Sequence, residues 1–309
     1  MVSPADIEAA HHRIAPYIRA TPVIALEPGA LGVPTALLLK LESLQHTGSF
    51  KPRGAFNRLL TADVPATAGV IAASGGNHGI AVAYAAQQLG VPAEIFVPTI
   101  SAAVKIDRIR AYGAQVTITG EAYAEAFAAS QKRAQETGAL VVHAYDQPEV
   151  LAGQGTLGRE WESQVTRIDT LLIAVGGGGL IGGIAAWFAG RVAIIGVEPE
   201  GSSAFASALR AGELVDVPVN SIAADSLGAR RVGVLMFALT RQYRVNCLLV
   251  SDAAIQEAQR RLWQELRIVA EPGGATALAA LTSGAYEPAP GERVGVLICG
   301  GNTEPSAVG

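Results

Sequence analysis

Cysteine and charge are both scarce in this chain of 309 residues. The two cysteines, Cys247 and Cys299, are too few for a disulfide framework or a four-cysteine zinc site. Only 16% of the residues are charged and the formal net charge is −4, with no basic cluster, which argues against a nucleic-acid partner or an anionic membrane surface. The N-terminus also lacks a signal peptide, because Asp6, Glu8 and Arg13 interrupt any apolar run. We therefore expect a cytoplasmic protein.

Lysine is scarce among the basic residues, whereas glycine is abundant. The 23 basic residues include only four lysines, Lys40, Lys51, Lys105 and Lys132, so chemistry that needs an amine has few candidates. Glycine accounts for 35 of the 309 residues, roughly 11% against a usual value near 7%. The absence of a Gly-X-Y repeat excludes a collagen-like chain, and the 50% of hydrophobic residues excludes a disordered one. The glycine excess therefore predicts turns and ligand-binding loops.

Short apolar runs alternate with helical patterns along most of the chain. Runs of Val, Ile and Leu without polar alternation predict buried parallel strands, at Ala36–Leu41, Gly69–Ala73, Ala93–Val97, Gln115–Ile118, Leu140–Val142, Leu171–Val175, Val192–Val197, Val245–Val250 and Val294–Ile298. Helices are predicted between them, at Asn77–Leu89, Ser101–Ala111, Glu121–Thr137 and Asp252–Leu266, after an N-terminal helix capped by Ser3. The alternation predicts two parallel-sheet α/β series, one before about residue 143 and one after it.

The glycine run Gly176–Gly179 lies inside an uncharged stretch, Leu171 to Gly190, that is long enough to span a bilayer. Seven of these twenty residues are glycine, and each costs a helix interior roughly 1 kcal/mol relative to alanine. A strand, a glycine turn and a helix therefore explain the stretch better than a membrane span does. Bare backbone N–H groups at the start of that helix predict a phosphate site.

The same run contains a second, weaker pattern. Gly177, Gly179 and Gly182 match the G-x-G-x-x-G fingerprint of dinucleotide sites, and Glu198 ends the next predicted strand, where a ribose-binding acid would lie. An NAD(P)-dependent oxidoreductase is therefore the alternative from a different class of enzyme. A P-loop is excluded, because no lysine in the chain follows a glycine.

The loop Ser74–His78, with the sequence Ser-Gly-Gly-Asn-His, also lies between a predicted strand and a predicted helix. Ser74 and Asn77 are small donors beside open backbone amides at a helix N-terminus, which favours binding of a carboxylate. The structural alternative is that Ser74 or Asn77 only caps the helix and that His78 is a core histidine.

Lys51 is the lysine with an unusual local context. It follows a glycine turn and Phe50 at the predicted start of a helix, where a positive charge is unfavourable. Its pKa should be lowered, which favours a nucleophilic amine. Lys40 lies in a predicted strand, whereas Lys105 and Lys132 lie in charged helical segments that predict solvated side chains. An exposed loop lysine stays open as the other interpretation of Lys51.

These loops in this order resemble the fold-type-II pyridoxal-phosphate (PLP) enzymes, and within them the group of threonine/serine dehydratases and serine racemases. The stretch Ser49–Ala55 is similar to the Schiff-base lysine motif, and Cys299–Asn302 is similar to the segment that faces the pyridine nitrogen. The resemblance implies two parallel-sheet α/β domains of the tryptophan synthase β type. Residues 1–65 and 144–309 would form a large PLP-binding domain, and residues 66–143 a small substrate-loop domain. It also implies a homodimer.

The resemblance implies a role for each motif. Lys51 holds PLP and removes the Cα proton of the substrate. Phe50 packs near the PLP ring, Asn77 bonds the 3-hydroxyl group of the ring, and Cys299 is a neutral partner for the ring nitrogen. The phosphate group is bound by Gly176, Gly177, Gly178 and Gly179, and the amino acid substrate by Ser74, Gly75, Gly76, Asn77 and His78.

Two departures from the resemblance narrow the expected reaction. Serine racemases of this type carry a second serine directly after the one matched by Ser74, and this chain has Gly75 there, which favours elimination over racemisation. Of the two acids in the divalent-metal site, only Glu198 is matched, because the later acid falls near Ala204; a monovalent cation or none is then the alternative. The stretch Ala224–Arg231 is expected to approach the site. No C-terminal regulatory domain is expected, because the chain ends soon after the last motif.

The expected function is that of a threonine/serine ammonia-lyase. It would catalyse PLP-dependent β-elimination of water from L-threonine or L-serine, which gives a 2-oxo acid and ammonia. A serine racemase or another β-hydroxy amino acid lyase of the same fold is the nearer alternative, and a PLP-binding protein without catalytic activity is a further one.

Overall fold

The computed structural model describes residues 1–64, 67–101 and 103–307. Within these ranges the backbone forms ten strands and twelve α-helices. The strands are β1 (Val23–Leu26), β2 (Leu37–Leu41), β3 (Val70–Ala73), β4 (Ala93–Val97), β5 (Gln115–Ile118), β6 (Leu140–Val141), β7 (Thr170–Ala174), β8 (Ala193–Pro199), β9 (Asn246–Val250) and β10 (Val294–Ile298). The helices are α1 (Pro4–Ile14), α2 (Lys51–Leu60), α3 (Asn77–Leu89), α4 (Ala103–Ala111), α5 (Tyr123–Thr137), α6 (Pro148–Gln164), α7 (Gly179–Phe188), α8 (Ala204–Ala211), α9 (Ala224–Leu227), α10 (Val234–Gln242), α11 (Asp252–Leu266) and α12 (Pro272–Thr282).

The strands form two sheets. Six of them lie in the order β1-β2-β10-β7-β8-β9, and neighbours in this sheet run parallel except for β1, which pairs antiparallel with β2. Strand β10 lies between β2 and β7, with Val294 opposite both Leu37 and Thr170. The other sheet has the order β5-β4-β3-β6, and its strands are parallel. The inner strands β3, β7 and β10 are buried along their whole length, as unbroken apolar runs predict.

Most of the predicted elements are confirmed. All nine predicted strands are present, and the helices predicted at Asn77–Leu89 and Asp252–Leu266 have those bounds. Ser3 caps α1, with its side chain accepting a hydrogen bond from a backbone N–H of the first turn. The prediction missed β1, because this edge strand has only four residues and buries only Leu26.

The uncharged stretch Leu171 to Gly190 forms β7, a glycine turn and α7, as predicted. In the part of the chain that the structure describes, no helix is both long enough and apolar enough to cross a bilayer. Helix α7 packs closely on α6, and a Cβ on Gly183 would lie 2.6 Å from the amide nitrogen of Gly155. Some of the glycines in this stretch therefore serve helix packing.

The order of the strands decides which segments meet. Strands β2, β10 and β7 are neighbours, so the segments that follow them come together beyond the carboxyl ends of one parallel sheet, where ligands bind in open α/β folds. These segments carry Lys51, Cys299 and Gly176–Gly179. In the other sheet β3 and β4 are neighbours, and the loop Ser74–His78 follows β3.

The two sheets draw on different parts of the chain. The four-stranded sheet takes its strands from between Val70 and Val141, and the six-stranded sheet takes strands from both sides of that region. This is the arrangement that domains of residues 1–65 plus 144–309 and 66–143 require. The boundary at Pro65 and Ala66 lies outside the described residues, so the division into domains stays a prediction.

Candidate active site

Lys51 is the first residue of α2 and directly follows Phe50. Its Nζ atom donates a hydrogen bond to the backbone carbonyl of Ala144 at 3.0 Å and lies 5.1 Å from the centroid of the Phe50 ring. Burial lowers the pKa of Lys51 to about 8. The sequence predicts this direction from the helix N-terminus, whereas the larger cause in the structure is loss of solvent. In a fraction of the molecules the amine is therefore neutral and nucleophilic near physiological pH.

The other three lysines have different surroundings. Lys40 is fully buried, and its Nζ lies 2.5 Å from Oε1 of Glu160. The prediction that Lys105 is solvated is wrong, because its side chain is only 19% exposed and pairs with Asp225. Lys132 is solvated as predicted, with 80% of its side chain exposed.

Arg53 lies fully buried two residues after Lys51. Its Nη2 atom donates to Glu42 Oε1 at 2.8 Å and to Glu160 Oε2 at 2.9 Å. Because Glu160 also pairs with Lys40, two acids and two bases form one buried cluster behind α2. The arginine of the lysine motif therefore anchors the helix that carries Lys51. Nothing local in the sequence marks Glu160, which is 107 residues from Arg53.

The run Gly176–Gly179 joins β7 to α7, and Gly178 has a φ of 90°, a left-handed conformation that favours glycine. A Cβ on Gly177 would lie 2.1 Å from the ring of Tyr145, and one on Gly178 would lie 2.3 Å from Met236. The glycines therefore allow these two side chains, which sequence reasoning missed, to pack directly on the backbone. The free N–H groups at the start of the ten-residue α7 lie in this turn.

The loop Ser74–His78 leads from β3 into α3. The Oγ atom of Ser74 accepts a hydrogen bond from the backbone N–H of Gly76 at 3.2 Å. A Cβ on Gly75 would lie 2.3 Å from Oγ of Ser101, a residue that sequence reasoning did not connect with the loop. His78 is buried, and its Nε2 lies 2.9 Å from the carbonyl of Val142. Burial lowers the pKa of His78 to about 3, so its imidazole is neutral.

Asn77 is the first residue of α3, and both atoms of its side-chain amide are held. Its Nδ2 donates to Glu271 Oε1 at 2.6 Å, and its Oδ1 accepts from Asn302 Nδ2 at 2.7 Å. Burial raises the pKa of Glu271 to about 7. Sequence reasoning missed Glu271 because it is 194 residues away from Asn77. The orientation of the Asn77 amide is therefore fixed from two distant segments.

Cys299 directly follows β10, and its Sγ lies 3.5 Å from the carbonyl of Gly273. Burial raises the pKa of Cys299 above that of an ordinary thiol, so the side chain is neutral. An isolated β-bridge joins Ser49 to Gly300, and the N–H of Phe50 donates to the carbonyl of Cys299 at 3.2 Å. The lysine motif is thus held beside Cys299. Among the described residues, the buried Oγ of Ser49 has no hydrogen-bond partner.

The segment Asp225–Leu227 of α9 lies against three glycines of the site. A Cβ would meet atoms of this segment at 3.4 Å from Gly76, at 3.1 Å from Gly176 and at 2.1 Å from Gly273. This part of the stretch Ala224–Arg231, which was expected to approach the site, therefore lies between the glycine run and the loop Ser74–His78.

Glu198 lies buried in β8, where its carboxylate caps α8. Its two oxygens accept backbone hydrogen bonds from Phe205 and Ala206, each at 2.9 Å, and the thiol of Cys247 lies 3.5 Å away. Burial raises the pKa of Glu198 to about 7. Within the described ranges, no group of three His, Cys, Asp or Glu side chains could hold a metal ion, and Ala204 brings no carboxylate. The cation expected at Glu198 stays a prediction.

The residues gathered here fit a PLP molecule. The start of α7 offers backbone N–H groups for a phosphate, Lys51 offers a partly neutral amine, and Cys299 offers a neutral thiol after the neighbouring strand. The buried hydroxyl of Ser49, which has no hydrogen-bond partner among the described residues, is a further polar group that a bound ligand could satisfy. The fold and the site therefore define a PLP-binding α/β enzyme.

The chain belongs to the pyridoxal-phosphate dependent enzyme family, whose sequence model matches residues 14–300. Its cofactor is PLP, which removes the NAD(P)-dependent alternative. Phenylserine dehydratase of Ralstonia pickettii is 37% identical over 94% of this chain and 90% of that protein. L-threonine ammonia-lyase of Geobacter sulfurreducens is 38% identical over 96% of this chain and 75% of that protein.

The solved structures include similar folds. Maize serine racemase aligns with a TM-score of 0.92 and 32% identity, over 99% of this chain and 95% of that chain. The fold-type-II resemblance drawn from the motifs is therefore confirmed, together with the expected α/β class. Dehydratases, ammonia-lyases and racemases all occur among the similar proteins.

Proposed function

We propose that this enzyme eliminates water from an L-β-hydroxy amino acid, with L-threonine and L-serine as the first candidates, and releases a 2-oxo acid and ammonia. The observation that carries the proposal is the amine of Lys51, whose pKa burial lowers to about 8, within the site that also contains the glycine turn of α7 and the loop Ser74–His78. Similarity to an L-threonine ammonia-lyase and a phenylserine dehydratase supports the reaction class.

In this proposal the chain supplies binding and proton transfer. The N–H groups of Gly176–Gly179 bind the phosphate of PLP, and Phe50 packs near the ring. Asn77, oriented by Glu271 and Asn302, bonds the ring hydroxyl. Bound PLP supplies an electron-withdrawing ring that weakens the bonds at the substrate Cα.

Lys51 has the central role in proton transfer. Its Nζ would hold the cofactor in the resting enzyme, and as a neutral amine it would take the proton from the substrate Cα. Cys299 is the proposed partner of the ring nitrogen. Because its thiol is neutral, it does not enforce protonation of the ring as a carboxylate would. This favours elimination over reactions that need a long-lived carbanion.

The loop Ser74–His78 is the proposed site of the substrate carboxylate. The backbone N–H of Gly75 and the O–H of Ser74, whose oxygen accepts from the N–H of Gly76, lie near the start of α3, where the helix dipole favours an anion. His78 is neutral and hydrogen-bonded to the backbone carbonyl of Val142, so in this proposal it fixes the position of the loop.

Chemical labelling and product analysis test the proposal together. The purified protein should show the visible absorbance of lysine-bound PLP, and borohydride should fix the cofactor on Lys51, as peptide mapping would reveal. L-threonine or L-serine should yield ammonia and a 2-oxo acid. Lys51→Ala should abolish turnover, while Lys132→Ala, an exposed control, should not. A label on another lysine, or the absence of 2-oxo acid from every β-hydroxy amino acid tested, would contradict the proposal.

Racemisation is the second candidate, because maize serine racemase shares this fold at 32% identity. Chiral analysis of the amino acid that remains after partial turnover separates the two reactions. Formation of D-serine without ammonia would favour the racemase, and ammonia without D-serine favours elimination. A homodimer and a cytoplasmic location are further proposals from the family resemblance, and light scattering of the purified protein tests the first.

A further inference from the structure

Ser101 belongs to the loop after β4, and this loop meets the loop Ser74–His78. Strands β3 and β4 are parallel neighbours, with Ala73 opposite Phe96, so the chain leaves both strands at the same edge. The N–H of Ser74 continues this pairing and donates to the carbonyl of Phe96 at 3.0 Å. Segments beyond the carboxyl ends of adjacent parallel strands are where α/β proteins bind ligands.

The side chain of Ser101 fills the space beside Gly75. A Cβ on Gly75 would lie 2.3 Å from Oγ of Ser101 and 2.9 Å from its Cβ. Residue 75 has no side chain, and the hydroxyl of Ser101 lies close to the position that a Cβ of residue 75 would occupy. Ser101 is half-buried, and its N–H donates to the carbonyl of Pro98 at 3.0 Å, so its position is fixed by a local turn.

Helix α4, which begins two residues after Ser101, is anchored opposite the next two residues of the loop. Lys105 pairs with Asp225, whose carbonyl oxygen would lie 3.4 Å from a Cβ on Gly76. One turn later, Arg108 Nη1 donates to Asn302 Oδ1 at 2.7 Å, and Asn302 in turn donates to Asn77. Three consecutive residues of the loop therefore have a neighbour in this region. Gly75 lies beside Ser101, Gly76 lies beside the partner of Lys105, and Asn77 bonds to the partner of Arg108.

We propose that Ser101 is a substrate-binding residue. Its hydroxyl donates a hydrogen bond to the carboxylate of the amino acid substrate, which binds beside Gly75. A hydroxyl from a neighbouring loop would thus replace the side chain that residue 75 lacks. This inference rests on the proposed role of the loop Ser74–His78. The competing explanation is that Ser101 only fills space, and the two explanations differ in what removal of the hydroxyl alone does.

Substrate affinity is the first test, with the holoenzyme of Ser101→Ala. Hydrogen bonds to charged groups predict that KM for the preferred substrate rises roughly tenfold or more, with kcat within about twofold. L-alanine, which has a carboxylate but no β-hydroxyl leaving group, should bind more weakly by a similar factor in a spectroscopic titration. Ser207→Ala on α8 is the matched control and should change neither value. Unchanged KM and unchanged L-alanine affinity in Ser101→Ala would overturn the proposal.

The contact itself is tested by stability. Gly75→Ala should lower the melting temperature of the holoenzyme, and adding Ser101→Gly should recover part of that loss, because the double-mutant cycle isolates their contact. Additive effects would show that the two residues do not meet, which also overturns the proposal. If no β-hydroxy amino acid is dehydrated, yet Ser101→Ala still weakens L-alanine binding, the reaction is wrong and the role of Ser101 stands.

Discussion

The Nζ of Lys51 donates its hydrogen bond to the backbone carbonyl of Ala144, at 3.0 Å. Ala144 lies between His143 and Tyr145, whose rings pack edge to face with centroids 4.7 Å apart. The acceptor of the amine therefore lies in a segment with two packed aromatic rings, and burial of the amine accounts for its lowered pKa.

The rate at which the PLP-free enzyme takes up PLP should rise with pH through about 8. The protonated amine below this pH cannot attack the aldehyde of PLP, and the neutral amine above it can. Uptake can be followed by visible absorbance after mixing at a series of pH values. A rise centred near 10.5, the ordinary value for lysine, would show that the amine is solvated before PLP binds.

Gly178→Ala should destabilise the protein more than Gly190→Ala. Both positions have positive φ, 90° and 83°, so both variants carry the cost of a left-handed alanine, roughly 1–2 kcal/mol. At position 178 the new Cβ would also lie 2.3 Å from Met236, whereas among the described residues nothing lies within 4 Å at position 190. Urea unfolding measures the difference between the variants. Equal losses would remove the packing explanation for Gly178.

Arg53→Met removes the cation that two buried carboxylates share. Glu42 and Glu160 would keep only Lys40 as a buried cation, and breaking such a pair costs roughly 3–5 kcal/mol of unfolding free energy. The control is Lys132→Met at an exposed position, where we expect a change within about 0.5 kcal/mol. Denaturant unfolding of both variants gives the comparison. A loss of about 1 kcal/mol or less would mean that the cluster behaves like a solvated surface pair.

Glu271→Gln should stabilise the protein, and its gain in unfolding free energy over the wild type should grow as pH rises from about 4.5 to about 7. Because the folded carboxyl has the raised pKa, it keeps a proton in this window that the unfolded carboxyl has lost, and wild-type stability falls with rising pH. The amide that replaces the carboxyl keeps an acceptor for Asn77 and cannot ionise. Unfolding free energies across this range measure the effect, with Glu136→Gln as an exposed control. A difference that does not vary with pH would contradict a raised pKa at Glu271.

The fold could be predicted to a large extent because its signals are local. Buried parallel strands appear as unbroken apolar runs, and α3 and α11 are followed by Gly90 and Arg267, so their bounds can be predicted from neighbouring residues alone. The edge strand β1 has no such signal. It has four residues and a mixed burial pattern, and its partner strand decides its conformation.

The site was predictable as a set of loops and not as a set of contacts. Lys51, Gly178 and Asn77 stand in motifs whose residue types show their chemistry. Glu271 and Tyr145 act on those motifs from segments far along the chain, and single residues without a pattern give no such signal. Lys105 was misjudged for the same reason, since its partner Asp225 lies 120 residues away.

Strand β10 is the last of the described strands to leave the ribosome, yet it lies in the middle of its sheet, between β2 and β7. A chain still being synthesised therefore has two unpaired inner edges, and such edges invite pairing with other chains. Cys299 directly follows this strand and reaches the lysine motif only after β10 has inserted. Assembly of the cofactor site is thus a late step of folding, and a nascent chain exposes the edges of β2 and β7 until β10 has inserted.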